Sequence, residues 1–332
     1  MIKTISYIES TDTSPYHNLA LEEYLLLHCR KGECILYLWQ NQHTVVIGRN
    51  QNAWKECLVS RLEEEGGRLV RRLSGGGAVY HDLGNLNFTF LVRKEDYDVE
   101  RQTQVILRAV QKLGIEAVKS GRNDILVDGK KFSGNAYYEQ GDHCYHHGTL
   151  MVHVDLEGLS RYLTVSKEKL QSKGVDSVRS RVTNLDTFAP DLTIDALKEK
   201  LLKAFEEEYL LTAEVRKAEE LDQEEIAGNQ ERFSSWDWIF GKKIDFQHEL
   251  SHKFPWGQVT LQFAVKNGKI EEVNAFSDAM LQSPICEIPR YLKKIRYKKQ
   301  SICAELGLYW SADENEKKMV EDIAEWIKTI DI

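Results

Sequence analysis

The sequence predicts an α+β fold in two parts, a large N-terminal domain in which strands and helices are interleaved and a small C-terminal α/β domain. In the first half of the chain, short β-rich runs alternate with helical segments. After Gly241 the pattern changes, and the β-rich runs 259–265 and 270–276 flank Asn267-Gly268, a pair typical of a hairpin turn. We therefore expect a large mixed β-sheet flanked by helices, followed by a smaller unit.

The N-terminal part begins with a strand and a helix. Pro15 follows Ser14, which puts proline at the first position of a helix over residues 15–27. The other predicted helices cover residues 54–65, 100–113, 193–209 and 219–232, with a further helical segment around Leu159. The predicted strands cover residues 3–9, 35–39, 44–48, 69–73, 78–81, 86–92, 124–127, 131–138 and 145–154.

The C-terminal part adds two helix signals to the hairpin. Ser283-Pro284 starts one helix, and Ser311 with Glu314 forms a capping box before the last helix. We place the boundary near residues 241–248, which gives a large first domain over 1–244 and a small accessory domain over 245–332.

Composition restricts the class of protein. Of 332 residues, 42% are hydrophobic and 29% are charged, as in globular proteins. The net charge of −8 disfavours a nucleic-acid partner. No apolar run approaches the roughly 18 residues of a membrane span, and the first residues lack the apolar core of a signal peptide. We expect a cytoplasmic protein without a membrane partner, whose six cysteines are reduced.

The most informative motif is Arg-Arg-Leu-Ser-Gly-Gly-Gly-Ala-Val-Tyr-His-Asp at residues 71–82. Consecutive glycines permit positive φ and expose backbone N–H groups that bind anions, and arginines suit carboxylate or phosphate. The motif is not a Walker loop, because no Gly-Lys-Ser/Thr follows. It is not a dinucleotide fingerprint, because Tyr80 stands where the third glycine would be. Taken alone, the glycines are also compatible with a tight turn between strands.

A second group of residues surrounds the predicted turn at Asp128-Gly129. Asp124 starts one strand and Lys131 starts the next. Alternate residues of a strand share a face, so Lys131 and Ser133 are expected to point together, with Phe132 towards the core. A lysine beside glycines can act as a point charge on phosphate, although a solvent-facing turn lysine is the alternative.

Two further motifs follow. Residues 143–150 read His-Cys-Tyr-His-His-Gly-Thr-Leu, and a pocket-lining strand is favoured over a zinc site because the adjacent histidines point to opposite faces. Residues 173–184 alternate apolar with basic or hydroxyl residues, which suits a loop that closes over an anionic ligand, or else a solvated charged loop.

These four motifs, in this order, closely resemble the bacterial lipoate–protein ligase A family, and the resemblance covers essentially the whole chain. Residues 16–24 look like the family's first helix, and residues 236–241 look like its bridge to an accessory domain. Ile244 departs from the family, which often has proline there. The resemblance implies a fold of the biotin/lipoate ligase type.

The family resemblance also implies the reaction. Such ligases use ATP to convert free lipoate into lipoyl-AMP, and then transfer the lipoyl group to the ε-amine of a lysine on a lipoyl domain. Mg²⁺ is the expected companion of ATP. The implied acceptors are acyltransferase subunits of 2-oxoacid dehydrogenases and the glycine-cleavage H protein, and a monomer is expected. The preferred acceptor and the choice between lipoate and octanoate stay open.

The resemblance assigns residues as follows. Lys131 is the catalytic residue, and Asp124 is a possible metal ligand. The implied lipoate-binding residues are Arg72, Ser74, Gly75, Gly76, Gly77, Val79 and His81. The implied ATP- or adenylate-binding residues are Arg72, Gly77, Tyr80, Asn123, Asp124, Lys131, Ser133, Tyr145, His147, Gly148, Thr149, Ser177, Val178, Arg179, Arg181 and Thr183.

Three alternatives remain. The nearest is an ATP-independent octanoyl or lipoyl transferase of the same superfamily, for which Cys144 is the thiol nearest the motifs. A biotin ligase carries a different glycine–arginine motif. A non-enzymatic binding module for carrier proteins is the third alternative.

Overall fold

A computed structural model describes residues 1–121, 123–164, 181–241 and 244–330 of the chain. The residues divide into two units, each discontinuous in sequence. Unit 1 comprises Met1–Val46, Glu56–Arg71 and Val79–Ile239, and unit 2 comprises Ile47–Lys55, Arg72–Ala78 and Phe240–Ile332.

An eight-stranded mixed sheet is the centre of unit 1, with the strand order β11-β1-β2-β6-β10-β9-β8-β7. Strand β1 pairs in parallel with β2 and β11, and the other neighbours are antiparallel. These strands are β1 (Thr4–Glu9), β2 (Glu33–Trp39), β6 (Asn85–Arg93), β7 (Ala117–Ser120), β8 (Asp124–Val127), β9 (Lys130–Gln140), β10 (His143–Met151) and β11 (Ala213–Lys217).

A separate three-stranded sheet carries both ends of the glycine-rich motif. Its order is β4-β3-β5, with β3 (Thr44–Ile47), β4 (Arg68–Arg71) and β5 (Val79–His81). Strand β4 ends at the first arginine of the motif and β5 begins two residues after its last glycine. The glycine loop therefore connects two strands of one small sheet.

Helices cover both faces of the large sheet. The α-helices of the first 239 residues include α1 (Pro15–His28), α2 (Ala53–Glu56), α3 (Val59–Glu64), α4 (Val99–Gln111), α5 (Leu156–Tyr162), α6 (Ile194–Tyr209) and α7 (Gln223–Ser234). Asp98 and Thr193 cap α4 and α6, each accepting a hydrogen bond from a first-turn N–H. α4 and α6 pack on an apolar face of the sheet, whereas α1 packs on the opposite face.

The two faces differ because β6 alternates with a period of two. Leu86, Phe88 and Phe90 belong to the apolar core beneath α4 and α6. Asn87 and Thr89 point to the opposite face, and both are buried. The centre of the sheet therefore presents a buried polar face on the side of α1.

Unit 2 is built around an antiparallel sheet of β12 (His248–Phe254), β13 (Gly257–Lys266) and β14 (Lys269–Ser277). Asn267 and Gly268 join β13 to β14 with positive φ at both residues, as a two-residue hairpin turn requires. The short helix α8 (Trp236–Phe240) precedes this sheet, and α9 (Ser283–Leu292), α10 (Lys299–Leu306) and α11 (Glu314–Thr329) follow it. Ile285, Ile302 and Ile323 join Leu261 and Phe263 in one core.

The α+β class, the large mixed sheet and the C-terminal hairpin are confirmed. The single helix predicted over 54–65 is wrong, because Leu58 leaves the helical region and Cys57 forms a bridge with Leu163, so α2 and α3 are separate. The domain limits 1–244 and 245–332 stay a prediction. Within the described ranges, every helix is too short or too polar to cross a membrane.

Candidate active site

Lys131 and Asp124 form an ion pair at the start of β9 and β8. The Lys131 Nζ lies 2.7 Å from the Asp124 Oδ1, with 35% and 42% of the two side chains exposed. Asp128 and Gly129 turn the chain between these strands with positive φ at both positions. This predicted turn is confirmed, and it brings the two charges together where a ligand can reach them.

A β-bulge sets the direction of the lysine side chain. Ser133 pairs with Ile125 and Lys131 pairs with Leu126, so β9 contains one extra residue, Phe132. The Lys131 Nζ consequently lies 2.8 Å from the point that a Cβ of Gly134 would occupy, whereas Ser133 is fully buried. The prediction that Lys131 and Ser133 share a face is wrong, because the bulge interrupts the alternation.

The backbone of Lys131 is fixed by the segment after residue 180. The Lys131 N–H donates to the Arg181 carbonyl over 2.7 Å, and the Thr183 N–H donates to the Lys131 carbonyl over 2.9 Å. Arg181 and Thr183, both predicted at the adenylate, therefore lie beside Lys131. Ser177, Val178 and Arg179 fall outside the described residues.

Two side-chain amides and a buried imidazole hold the chain before Asp124. The N–H and Nδ2 of Asn135 donate to the Asn123 carbonyl over 2.8 and 3.0 Å. The Oδ1 of Asn135 lies 2.8 Å from the Nε2 of His146, and the Nδ1 of His146 lies 3.2 Å from the Oε1 of Gln102. Burial lowers the pKa of His146 to about 3, so the ring is neutral and has one N–H to donate.

His147 lies on the opposite face of β10, next to Glu22 of α1. The His147 Nδ1 lies 2.8 Å from the Glu22 Oε1, which also accepts a hydrogen bond of 2.7 Å from the Thr89 hydroxyl. Thr89 in turn accepts a bond from the indole Nε1 of Trp39 over 3.1 Å. All four side chains are at least nine-tenths buried, and they form one polar network.

The remaining predicted residues of β10 have different surroundings. The Thr149 hydroxyl accepts the N–H of Gly134 over 3.1 Å, and Gly134 is the residue next to which the Lys131 ammonium lies. A Cβ on Gly148 would lie 2.6 Å from the Cζ of Phe88, so glycine is needed there for packing. Tyr145 is fully buried, with its ring 4.6 Å from that of His147.

Strand β5 directs the side chains of two predicted site residues, Tyr80 and His81, to opposite faces. His81 is buried, 6.3 Å from the Trp39 ring in an edge-on arrangement, with its Nδ1 3.3 Å from Asn41. Tyr80 points to the other face, where its ring lies 5.5 Å from Tyr162. Val79 shares the face of His81 by the period of the strand. Tyr80 and His81 therefore do not line one surface.

The glycine loop belongs to unit 2, where Arg72 organises it. The guanidinium donates to the Ser74 hydroxyl at 3.0 Å and, through Nη2, to the carbonyls of Gly75 at 2.7 Å and Gly77 at 2.8 Å. Arg72 and Ser74 are both buried. In this structure, the arginine predicted to bind the ligand stabilises the shape of the loop.

The three glycines have different requirements. Gly76 alone of the three has a positive φ, +90°, and its N–H donates to the Ala279 carbonyl over 3.0 Å. A Cβ on Gly75 would collide with the carbonyl oxygens of Ala279 and Met280, whereas one on Gly77 would meet no atom within 4 Å among the described residues. Two of the glycines therefore serve close backbone packing in unit 2.

Comparison with known proteins identifies the family. A model described as the lipoyl protein ligase A/B catalytic domain matches residues 14–206, and one for the bacterial lipoate protein ligase C-terminus matches residues 243–327. The chain is 39% identical over 328 residues to a lipoate-protein ligase A of Psychrobacter cryohalolentis, covering 96% of this chain and 97% of that protein. The chain belongs to the lipoate–protein ligase A family.

A second relative and two solved structures are also similar to this chain. A lipoate-protein ligase A from Blochmanniella pennsylvanica is 40% identical, with 97% of each chain covered. The crystal structure of P. falciparum LipL1 in complex with lipoate is 30% identical and superposes with a TM-score of 0.85, over 97% of this chain and 99% of that one. A lipoate-protein ligase A bound with ATP is 26% identical, with a TM-score of 0.62 over 73% and 99%.

Family membership raises the question of a metal site. No group of three His, Cys, Asp or Glu side chains placed to hold an ion occurs in the part of the chain that the structure describes. Mg²⁺ in nucleotide sites takes one or two carboxylates and completes its shell with phosphates and water. The half-exposed carboxylate of Asp124 fits the role of such a single protein ligand.

The cysteine of the third motif is a core residue. Cys144 is fully buried, and burial raises the pKa of its thiol to about 11. A thiol is nucleophilic as the thiolate, which this environment disfavours. Cys144 is therefore poorly suited to carry an acyl group.

Sequence reasoning missed Glu22, Thr89 and Asn135 as parts of the site. A signal for the first was available, because Glu22 stands within an apolar helical run and is completely buried. Thr89 was detectable as a polar position alternating with Leu86, Phe88 and Phe90 in a strand. Asn135 gave no such signal, since its role depends on which residues cross-strand pairing brings next to it.

Proposed function

We propose that this member of the lipoate–protein ligase A family joins free lipoate to lysines of lipoyl domains, with ATP as the source of energy. The observation that carries the proposal is the seat of Lys131, whose ammonium is held by Asp124 and whose backbone is clamped by Arg181 and Thr183. A fixed, accessible cation of this kind suits a reaction between two anions.

In the first step, a carboxylate oxygen of lipoate attacks the α-phosphorus of ATP, and the bond to pyrophosphate breaks. Both reactants are negative, so they approach only where positive charge offsets their repulsion. We assign this charge to Lys131, and assign Asp124 to its orientation. Asp124 would hold Mg²⁺, which would supply further positive charge to offset that of the phosphates.

In the second step, the neutral ε-amine of an acceptor lysine attacks the carbonyl carbon of lipoyl-AMP. The amide bond forms, AMP leaves with the electron pair of the broken anhydride bond, and the amine releases one proton. Lys131 remains near the leaving phosphate and stabilises its charge. Positioning and electrostatics account for the catalysis, as in other displacements at phosphate.

Several assignments extend this proposal. The residues assigned from the resemblance to lipoate and to the adenylate, Tyr80 and Ser133 included, are part of this proposal. Acyltransferase subunits of 2-oxoacid dehydrogenases and the glycine-cleavage H protein are the proposed acceptors. One solved relative is titled a bi-partite lipoate protein ligase and its E2 lipoyl domain from Thermoplasma acidophilum, which supports a lipoyl-domain partner. A cytoplasmic monomer is also proposed.

The test is mass spectrometry of a purified lipoyl domain after incubation with the enzyme, ATP, Mg²⁺ and lipoate. The expected result is a mass gain of one lipoyl amide that disappears when ATP is omitted. A gain that needs only an acylated carrier protein, and no ATP, would indicate the transferase alternative.

The transferase alternative makes a second prediction about Cys144. Its acyl-enzyme mechanism requires a nucleophilic thiol, and this one is buried with a raised pKa. We expect Cys144→Ala to retain ATP-dependent ligation. Loss of ligation in a folded Cys144→Ala protein would favour the transferase.

A further inference from the structure

The sheet face that carries Lys131 continues across β10 and β6 to buried polar side chains. Gly134 of β9, beside the lysine ammonium, is hydrogen-bonded to Thr149 of β10. Thr149 pairs with Asn87 of β6, and Asn87 pairs with Trp39 of β2. Directly paired residues share a face, so these four residues form a row across the sheet that starts at Lys131.

The row has the length of an acyl chain. Adjacent strands are about 4.8 Å apart, so Asn87 lies roughly 10 Å from Gly134 along the row. An extended octanoyl chain is about 9 Å long. A fatty acid whose carboxylate meets the Lys131 ammonium and whose chain follows the row therefore ends near Asn87.

Burial decides the direction of the chain. Asn87, Trp39 and Thr89 are at most 3% exposed, whereas Val118, at the opposite edge of the sheet, is 61% exposed. An apolar chain is stabilised by leaving water, so it extends towards Asn87. Glu22 is also buried on this face of the sheet, where it accepts the hydrogen bond from Thr89.

Two buried polar atoms at this end have no partner among the described residues. One is the Nδ2 of Asn87, a donor, and the other is the Oε2 of Glu22, an acceptor. The other polar atoms of these groups are used, since the Asn87 Oδ1 accepts a bond of 2.9 Å from Asn85 and the Glu22 Oε1 binds Thr89 and His147. Buried donors and acceptors are normally paired, so both atoms point to a group that the ligand supplies.

We propose that Asn87 is a specificity-determining residue that favours acids whose tail carries a hydrogen-bond acceptor over plain fatty acids. The inference rests on the proposed function. A dithiolane sulfur is a weak acceptor and partly satisfies the Asn87 N–H. An octanoate tail leaves the buried N–H unpaired and is rejected for that reason.

The main test compares lipoate with octanoate in acid-dependent ATP–pyrophosphate exchange. Asn87→Leu removes the donor while keeping a side chain branched at the same carbon. The ratio of kcat/KM for lipoate to kcat/KM for octanoate should fall about tenfold, mainly because octanoate improves. An unchanged ratio in the folded variant overturns the proposal.

Gln102→Leu is the matched control. Gln102 is also a fully buried side-chain amide, but it lies in α4 and contacts His146 on the other side of the sheet. Its substitution should change both acids equally and leave their ratio as in the wild type. A shift of the ratio by the control as large as that of Asn87→Leu would also overturn the proposal.

A test on the wild-type protein avoids any question of folding. An octanoate with a terminal hydroxyl offers an acceptor to the Asn87 N–H, whereas nonanoate has a methyl group at the same place. The hydroxylated acid should be used at least fivefold better, and equal or poorer use contradicts the proposal. If the wild type activated none of these acids, the proposed function itself would fail, which is a distinguishable outcome.

Discussion

The ammonium of Lys131 is held both by a charge and by its own backbone. Asp124 fixes the Nζ, and the bonds to Arg181 and Thr183 fix the main chain between β8 and the following segment. A charge that is preorganised in this way stabilises a developing negative charge without reorganising during the reaction. The geometry at this residue therefore predicts a large loss of rate when the cation is removed.

We expect Lys131→Ala to lower lipoyl-AMP formation roughly 100-fold or more, as loss of one preorganised donor does elsewhere. Lipoate-dependent ATP–pyrophosphate exchange measures this step. Lys130→Ala is the control, because Lys130 is the exposed neighbour in the same strand. Adenylate formation by Lys131→Ala at the control's rate would contradict the role assigned to the ammonium.

Substitution of Gly134 is a milder test of the position of the Lys131 ammonium. A Cβ there would lie 2.8 Å from the Lys131 Nζ and 2.9 Å from its Cε. These atoms end a flexible side chain, so Gly134→Ala should displace the ammonium while the fold persists. We expect about a tenfold or greater loss in exchange with a melting temperature close to wild type.

The control for Gly134→Ala is Gly228→Ala, in helix α7, where a new Cβ meets no described atom within 4 Å. That substitution should leave activity intact and raise stability slightly, because alanine favours helix. Unfolding of Gly134→Ala would show that the glycine serves packing instead.

At the scale of elements, α4, β10 and β9 are linked through His146. The ring spans from Gln102 to Asn135, which in turn holds the Asn123 carbonyl next to Asp124. The Nε2–H of the neutral ring must donate to the Asn135 Oδ1, so the Nδ1 needs a donor from Gln102. Exchanging the positions of the Gln102 amide oxygen and nitrogen supplies this donor. The exchange also gives a partner to the Gln102 Nε2, which otherwise has none among the described residues.

This linkage predicts a pH dependence of stability. Burial lowers the pKa of His146 from 6.5 to about 3, so the unfolded chain binds a proton there that the folded chain does not. Stability therefore falls as the pH decreases through the window from 6.5 to about 3. The free energy of unfolding in urea, measured near pH 7 and near pH 5, should decrease less for His146→Gln than for wild type. Equal decreases would refute this assignment.

Strands β6, β8 and β9 show which features could be predicted from the sequence and which could not. The turn at Asp128-Gly129 and the polar alternation of β6 are local patterns, and local patterns are readable. The face of Lys131 was mispredicted because a bulge in β9 depends on pairing with β8, which no single strand encodes. The split of residues 54–65 likewise depends on the distant partner Leu163.

At the scale of the whole molecule, the least predictable feature is the composition of unit 2. Its core follows from the hairpin and the C-terminal helices, which the sequence indicated. Its other segments, Ile47–Lys55 and Arg72–Ala78, are separated from that core in sequence by Val79–Ile239 of unit 1. The Gly76 N–H bond to Ala279 and the Ser277 N–H bond to Asn50 hold them there. The glycine motif, which the sequence linked to anion binding or to a tight turn, therefore also has a packing role in unit 2.

Neighbouring glycines of the loop separate these two roles. Gly75→Ala would drive a methyl group into the carbonyls of Ala279 and Met280, so backbone must move. We expect it to destabilise unit 2 by about 1–3 kcal/mol, the usual range for overpacking. Gly77→Ala has open space and a φ outside the left-handed region, so its stability should stay within about 0.5 kcal/mol of wild type.

Activity then distinguishes ligand binding from packing at Gly77. If its backbone faces lipoate as the family resemblance implies, Gly77→Ala should raise the KM for lipoate in ATP–pyrophosphate exchange while urea unfolding stays unchanged. Gly75→Ala should show the opposite pattern, with a lowered urea midpoint and a smaller change in the KM for lipoate. Equal stability losses in both variants would mean that Gly77, like Gly75, is required for packing, and would contradict the separation of the two roles.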